Sequence, residues 1–266
     1  MPIPAGPFET LRISTPRPRV AVIALHRPEA ANALNTQMAR DVLAVFGALL
    51  LDAGDLRCLV LTGAGDKAFC AGGDLKERNG MSDADWRRQH ALFEQAFYTL
   101  MDCPIPIVAA VNGAAYGGGC EFALACDFIY AERTARFALT ETRLGIIPGC
   151  GGTQHLPRAV GARRAKELIL TGAPFSAEEA HAWGMVNAVF DGGVLDAAIA
   201  AAERIAANAP VAVRQAKRAI QLGADSDLKT GLAIEIEAYN RTTGTADRRE
   251  GVAAFNEKRA PRFSGE

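Results

Sequence analysis

IVAAVNGAAYGGGCEFALA, residues 107–125, decides how this chain is read. Ile107–Val111 is a short apolar, β-rich run of the kind that forms a buried strand. A turn-rich stretch follows, ending in three consecutive glycines, Gly117 to Gly119. Apolar residues at helical spacing then begin, from Glu121 to Ala125. A strand that passes through a glycine loop into a helix is an α/β unit. Two further stretches share the design. AFCAGGDLKE (68–77) follows the strand-like run Leu56–Thr62, and TETRLGIIPGCGG (140–152) follows the β-like run Arg136–Thr140.

Working outward, Val20–Leu25, Phe128–Ala131 and Val186–Phe190 read as further strands. Met38–Leu51 and Trp86–Met101 read as helices. Strand and helix alternate over the first two-thirds, which predicts an α/β fold with crossover connections. Ser176 to Glu179 has the spacing of a capping box, and Gly184 is a natural stop for the helix it opens. From about Leu195 the pattern becomes helical only. Ala197–Asn208, Val211–Leu222, Leu228–Arg241 and Asp247–Lys258 follow one another, with Pro210 marking one break. Two regions are therefore expected: an α/β body over 1–194, and a helical oligomerisation region over 195–266 that packs on the body or on a neighbouring subunit.

The remaining composition narrows the function. A net charge of −1 gives no basic field to attract nucleic acid or an anionic membrane. The longest apolar run, Val42–Leu51, is too short to span a bilayer, and the N-terminus has no signal-like basic and apolar regions, so a cytoplasmic protein is expected. Six cysteines without a CxxC pair read as buried free thiols in a reducing compartment. The sequence has no G-x-S-x-G elbow, no H-E-x-x-H, no Walker loop and no dinucleotide fingerprint. The four histidines, His26, His90, His155 and His181, are scattered, so no metal site is expected.

The three glycine loops remain. Glycine lets backbone N–H groups approach a ligand without a Cβ in the way. A helix opening after Gly117–Gly119 presents unpaired N–H groups and partial positive charge, which suits a developing oxyanion. Gly72 and Gly73 offer a second set of donors, so that two loops could polarise one carbonyl. Two carboxylates accompany them: Glu121 in the helix's first turn, and Glu141 before the third glycine-rich turn. Such a pair can add water to a polarised alkene, one accepting a proton from water and the other delivering a proton to carbon. Mutual repulsion is expected to raise the pKa of one of them. Taken singly, a glycine turn is ordinary tight packing, and a first-turn Glu is an ordinary dipole-favoured surface residue.

In order and spacing, these segments resemble the crotonase, or enoyl-CoA hydratase/isomerase, superfamily over nearly the whole chain. The resemblance runs from LHRPEAANAL (25–34) through FCAGGDLK (69–76), GGGCE (117–121) and LGIIPGCGGTQ (144–154) to EKR (257–259). It implies a spiral of β-β-α turns with a C-terminal helical trimerisation subdomain, assembled as a homotrimer or a dimer of trimers. It implies oxyanion-hole N–H groups from Gly73 and Gly118, and Glu121 and Glu141 as the catalytic acids, Glu121 activating water and Glu141 protonating C2. Gly73, Asp74, Leu75 and Lys76 would line the coenzyme A site, and Phe255 and Lys258 would reach coenzyme A, often from a neighbouring subunit. Coenzyme A is then part of the substrate, and no separate cofactor is implied. Two departures stand out: His26 where the family commonly has Asn, and Gly73 where Ala is common.

The closest pattern is that of methylglutaconyl-CoA hydratase, carried by GGDLKER (72–78), ETRLGII (141–147), LPRAVG (156–161), DLKTGLAI (227–234) and the ending EKRAPRFSGE (257–266). This resemblance implies a place in leucine degradation and a substrate with a second carboxylate. Arg78, just beyond the glycine loop, is the candidate cation for it; its plain alternative is a solvent-facing arginine. Two other readings carry less. An isomerase needs only one acid, and both are kept. Some methylglutaconyl-CoA hydratases also bind RNA through a lysine-studded helix, but here residues 36–55 hold Arg40 alone against Asp41, Asp52 and Asp55.

Overall fold

The computed structural model describes Ile3 and residues 7–266. The chain begins with the antiparallel hairpin Leu11–Arg17 (β1) and Val20–Leu25 (β2). Thr36–Leu51 (α1), Cys58–Gly63 (β3), Ala68–Cys70 (β4), the single turn Leu75–Arg78 (α2) and Asp83–Met101 (α3) follow. Next come Ile107–Val111 (β5), Ala114–Tyr116 (β6), Gly118–Ala125 (α4), Phe128–Glu132 (β7) and Arg136–Ala138 (β8). After a 3₁₀ turn at Glu141–Leu144 lie Gly152–Val160 (α5), Ala162–Thr171 (α6), Phe175–Ser176 (β9), Ala177–Ala182 (α7) and Ala188–Phe190 (β10). Val194–Ala206 (α8), Pro210–Ala224 (α9), Leu228–Thr243 (α10) and Ala246–Asn256 (α11) complete the chain.

The strands form two sheets. The larger has the order β1-β2-β3-β5-β7-β10 and is parallel except at the β1–β2 edge; the smaller has the order β4-β6-β8-β9. Each pass β3→β4, β5→β6 and β7→β8 places one strand in each sheet. This is the spiral of β-β-α turns, the crotonase fold.

The central strands β2, β3 and β5 of the larger sheet are buried on both faces, which is why they read as continuous apolar runs. Ile23, Leu59, Leu61, Ile107 and Ala109 face the main core with α1 and α3. The alternate residues Val22, Val60, Val108 and Ala110 face α8, which answers with Val194, Ala198, Ala202 and Ala206 at four-residue spacing. The all-helical stretch past Leu195 thus begins with a helix that covers the body's own sheet, and the helices that lie farther out start at α9.

Three features have local causes the sequence reading did not separate. β1 contains Pro16 and polar residues, and it is an edge strand, where a missing N–H costs no ladder bond. α5 contains Pro157. The smaller sheet's strands are two or three residues long, below the length at which a period shows. The capping box at Ser176 and Glu179 is present with both of its bonds. All six cysteines are buried and free. Among the described residues no helix is long and apolar enough to cross a membrane, and no cluster of His, Cys, Asp and Glu is arranged to hold a metal.

Candidate active site

The glycine loops converge because α4 starts against β4. A Cβ on Gly119 would lie 2.1 Å from the Cys70 carbonyl oxygen, so only glycine permits this approach. Gly117 caps α4 with φ +51° and donates its N–H to Ala138 O at 2.9 Å. The N–H of Gly118, the first helical residue, then has no acceptor among the described residues. On the facing loop, Leu34 N–H donates to Gly72 O and Asp74 N–H donates to Leu34 O, each at 2.8 Å. Gly73 lies between these two bonds, and its N–H likewise finds no acceptor among the described residues. The loops touch: a Cβ on Gly72 would stand 3.4 Å from the Gly118 nitrogen.

Both free N–H groups belong to residues lining one cavity of about 870 Å³, and Glu121 and Glu141 line the same cavity. Glu121 is only 2% exposed. Its Oε1 accepts N–H bonds from Cys150 at 2.7 Å and Gly152 at 2.8 Å, and its Oε2 lies toward Gly118. Burial pushes its carboxyl up to about 7; the charge of Glu141 adds to the rise, and the Gly152 and Cys150 donors oppose it. Glu141, 8% exposed, opens the 3₁₀ turn after β8. Its Oε1 lies 3.0 Å from where a Cβ on Gly117 would be, and its Oε2 is buried without a partner among the described residues. Burial raises its pKa as well. The expected cause therefore needs correcting: desolvation is the main influence on both acids, and repulsion between them is secondary. A buried, unpartnered carboxylate oxygen is costly, and such atoms mark places where a ligand or water belongs.

The other candidates separate. Leu75 is half-exposed at the cavity wall, and Lys76 is exposed on α2. Asp74 caps α2 through bonds from Lys76 N–H and Glu77 N–H, and it pairs with Arg27 Nη1 at 2.9 Å. Its own N–H donates to Leu34 O and its carbonyl accepts from Arg78 N–H, and it does not line the cavity, so it shapes the loop rather than offering a group to a ligand. Arg78 is not a solvent-facing arginine. It lines the cavity with its guanidinium carbon 4.3 Å from the Trp86 ring centre and 5.0 Å from that of Phe93. Phe255, 85% exposed at the end of α11, and Lys258 do not reach the cavity within one chain. The tail that follows them is fastened elsewhere. Phe263 O accepts from Arg57, and Asp247 accepts from the N–H groups of Ser264 and Gly265. His26 lies outside the cavity wall; its N–H donates to Thr10 O.

Several wall residues escaped the sequence reading. Trp86 and Phe93, two turns apart on α3, looked like any apolar helix face. Cys150 was quoted only as part of the third glycine motif, and Gln89, which touches Arg78 without lining the cavity, gave no signal at all.

Residues 17–266 match the enoyl-CoA hydratase/isomerase family. Bacillus subtilis YngF, named for that family, is 47% identical over 92% of this chain and 95% of its own length. The (E)-benzylidenesuccinyl-CoA hydratase of Thauera aromatica is 40% identical over 96% of this chain and 98% of its own. The crystal structure of an enoyl-CoA hydratase from Bacillus anthracis superposes with a TM-score of 0.94 at 45% identity, covering 97% of this chain and all of that one. The chain belongs to the enoyl-CoA hydratase/isomerase family.

Proposed function

We propose that the protein is a hydratase, adding water across the 2,3 double bond of a 2-enoyl-CoA thioester. One observation carries the reading: two buried carboxylates, and two N–H groups from separate loops that have no acceptor among the described residues, share one cavity. The thioester oxygen accepts from Gly73 N–H and Gly118 N–H, which draws electron density from C3. Glu121, in its ionised form, takes a proton from water as the oxygen bonds to C3. The π electrons move into the enolate, and the Glu141 carboxyl gives its proton to C2. The product is a 3-hydroxyacyl thioester, and proton exchange between the acids and solvent restores the starting state. An isomerase would shuttle one proton through one acid and leave the second buried carboxylate without use.

The coenzyme A moiety leaves the cavity past Leu75 and Lys76. Phe255 and Lys258 serve a neighbouring subunit's site in a homotrimer or dimer of trimers. The exposed apolar stripe Leu228, Leu232, Ile236 and Tyr239 on α10 supports such an assembly. The methylglutaconyl-like segments make 3-methylglutaconyl-CoA, an intermediate type of leucine degradation, the first branched substrate to try.

The test is steady-state hydration of crotonyl-CoA by the wild type and by Glu141→Gln. Wild-type turnover with loss of most of it in a folded variant is expected. Full activity in the variant would remove Glu141 from the chemistry.

A further inference from the structure

The strongest feature the reaction does not use is a cation built into the cavity wall. Arg78 Nε donates to Gln89 Oε1 at 2.8 Å. That is the only hydrogen bond its side chain makes among the described residues, and it forms no salt bridge with any of them. A guanidinium has five N–H donors. Its guanidinium carbon lies over the Trp86 and Phe93 rings, which accept no conventional hydrogen bond, so its remaining N–H donors are left for a ligand. Nη1 lies 3.4 Å from where a Cβ on Gly73 would stand, beside the proposed oxyanion hole.

The nearest acid is turned away. Glu77 Oε2 accepts from Thr36 N–H at 2.9 Å and from Gln89 Nε2 at 2.8 Å, so Gln89 stands between acid and base. Gln89 is itself 6% exposed and also donates to Thr36 Oγ1, which fixes the face it offers to Arg78. The result is a half-buried cation in a fixed orientation, without an ion-pair partner among the described residues, facing a space where an acyl group would lie. Burying such a cation against a plain alkyl chain would strip its water and return nothing. A carboxylate matches the open edge as a two-pronged acceptor.

We infer that Arg78 is the receptor for a second carboxylate on the acyl group, so that the preferred substrates are enoyl thioesters of short dicarboxylic acids, with Gln89 as the positioning residue. This inference rests on the hydratase reading of the cavity. Gly73 takes part as well. An alanine methyl there would rest on Nη1 and cover part of the edge the carboxylate uses.

Glutaconyl-CoA and crotonyl-CoA test it, since they differ only by a carboxylate on C4. The quantity read is the ratio of kcat/KM for the two, which partial unfolding leaves unchanged because both values fall together. The wild type should favour glutaconyl-CoA. Arg78→Met should lower the ratio roughly 10- to 100-fold, the range for a lost charged hydrogen bond. Gln89→Leu should lower it less, by raising KM for glutaconyl-CoA while its kcat holds. Equal losses on both substrates in Arg78→Met would overturn the inference and make Arg78 a support for the glycine loop. A wild type that favours crotonyl-CoA would overturn it too. Turnover of neither substrate would instead bring down the hydratase reading, and this inference with it.

Discussion

Replacing Glu121 by glutamine should make the protein more stable at alkaline pH while stopping its turnover. The carboxyl is 2% exposed, and burial raises its pKa from an ordinary 4.5 to about 7. Below pH 4.5 the group is protonated in both the folded and the unfolded chain, and the stability associated with its raised pKa is fully present. As pH rises, the unfolded chain releases the proton first, and the folded chain holds it until about 7. Stability is therefore lost progressively across that window. Above it the loss is complete, roughly 3 kcal/mol at ~1.4 kcal/mol per pH unit. Glutamine has no proton to release. It also preserves the local bonds, because its Oε1 still accepts from Cys150 N–H and Gly152 N–H. Urea unfolding of both proteins, at one protomer concentration because association adds to apparent stability, should show less than about 1 kcal/mol between them at pH 5. At pH 8 the variant should lead by about 3 kcal/mol. Two curves that stay parallel from acid to alkaline pH, or a variant that is weaker at pH 8, would refute the claim that burial strains this carboxylate.

Four further outcomes follow from the same geometry. If Glu121 acts as the base, kcat/KM for hydration should rise with pH through about 7 as the free enzyme's carboxyl ionises; a flat profile there would assign the base elsewhere. Glu141→Gln should lower turnover by on the order of 10²–10⁴ without lowering the melting temperature, since its Oε2 has no bond to lose; a clear drop in melting temperature would make the residue structural. Gly118→Pro should cost on the order of 10²–10³ in kcat and Gly118→Ala much less. Both carry a Cβ that meets the movable Leu34 Cδ1 at 2.9 Å, so their difference reports the N–H together with the proline ring that replaces it, and equal losses would point to Cβ crowding alone. Light scattering at micromolar concentration should give a multiple of three protomer masses, and a monomer would leave the α10 stripe unexplained.

How much of this was legible in the sequence depends on the range of each interaction. The inner strands of the larger sheet were readable because a run buried on both faces is apolar throughout, as β3 and β5 are, whereas the polar edge strand β1 was not. Glu121, Glu141, Gly73 and Gly118 were readable because each lies inside a glycine-rich motif continuous in sequence. The hydrogen bonds that hold Glu121 were not, since Cys150 and Gly152 arrive from another loop and donate through their backbone, which any residue type could do. Gln89 was invisible for a related reason. On α3 it looks like one more polar helix residue, and only the fold brings it to Arg78 and Glu77. The helical tail was legible as helices, but its partner surfaces were not. The residues that send α8 onto the sheet are alanines and valines, as consistent with a free bundle as with a packed layer.

Gly73 shows how one position can serve two tasks that pull on its side chain differently. For the oxyanion hole only its N–H matters, and an alanine, common there in the family, would donate equally well. For Arg78 the missing methyl matters, because a Cβ would come within 3.4 Å of Nη1. A site with no arginine behind the loop would lose nothing by carrying that methyl. A site with an arginine behind the loop gains by omitting it, because desolvating the guanidinium without a partner is what the acyl carboxylate relieves. The glycine at 73 and the arginine at 78, which has no salt bridge among the described residues, are therefore best read as one adaptation. On that reading the backbone of the loop would hold the thioester oxygen, and the arginine beside it would hold the far end of the acyl chain.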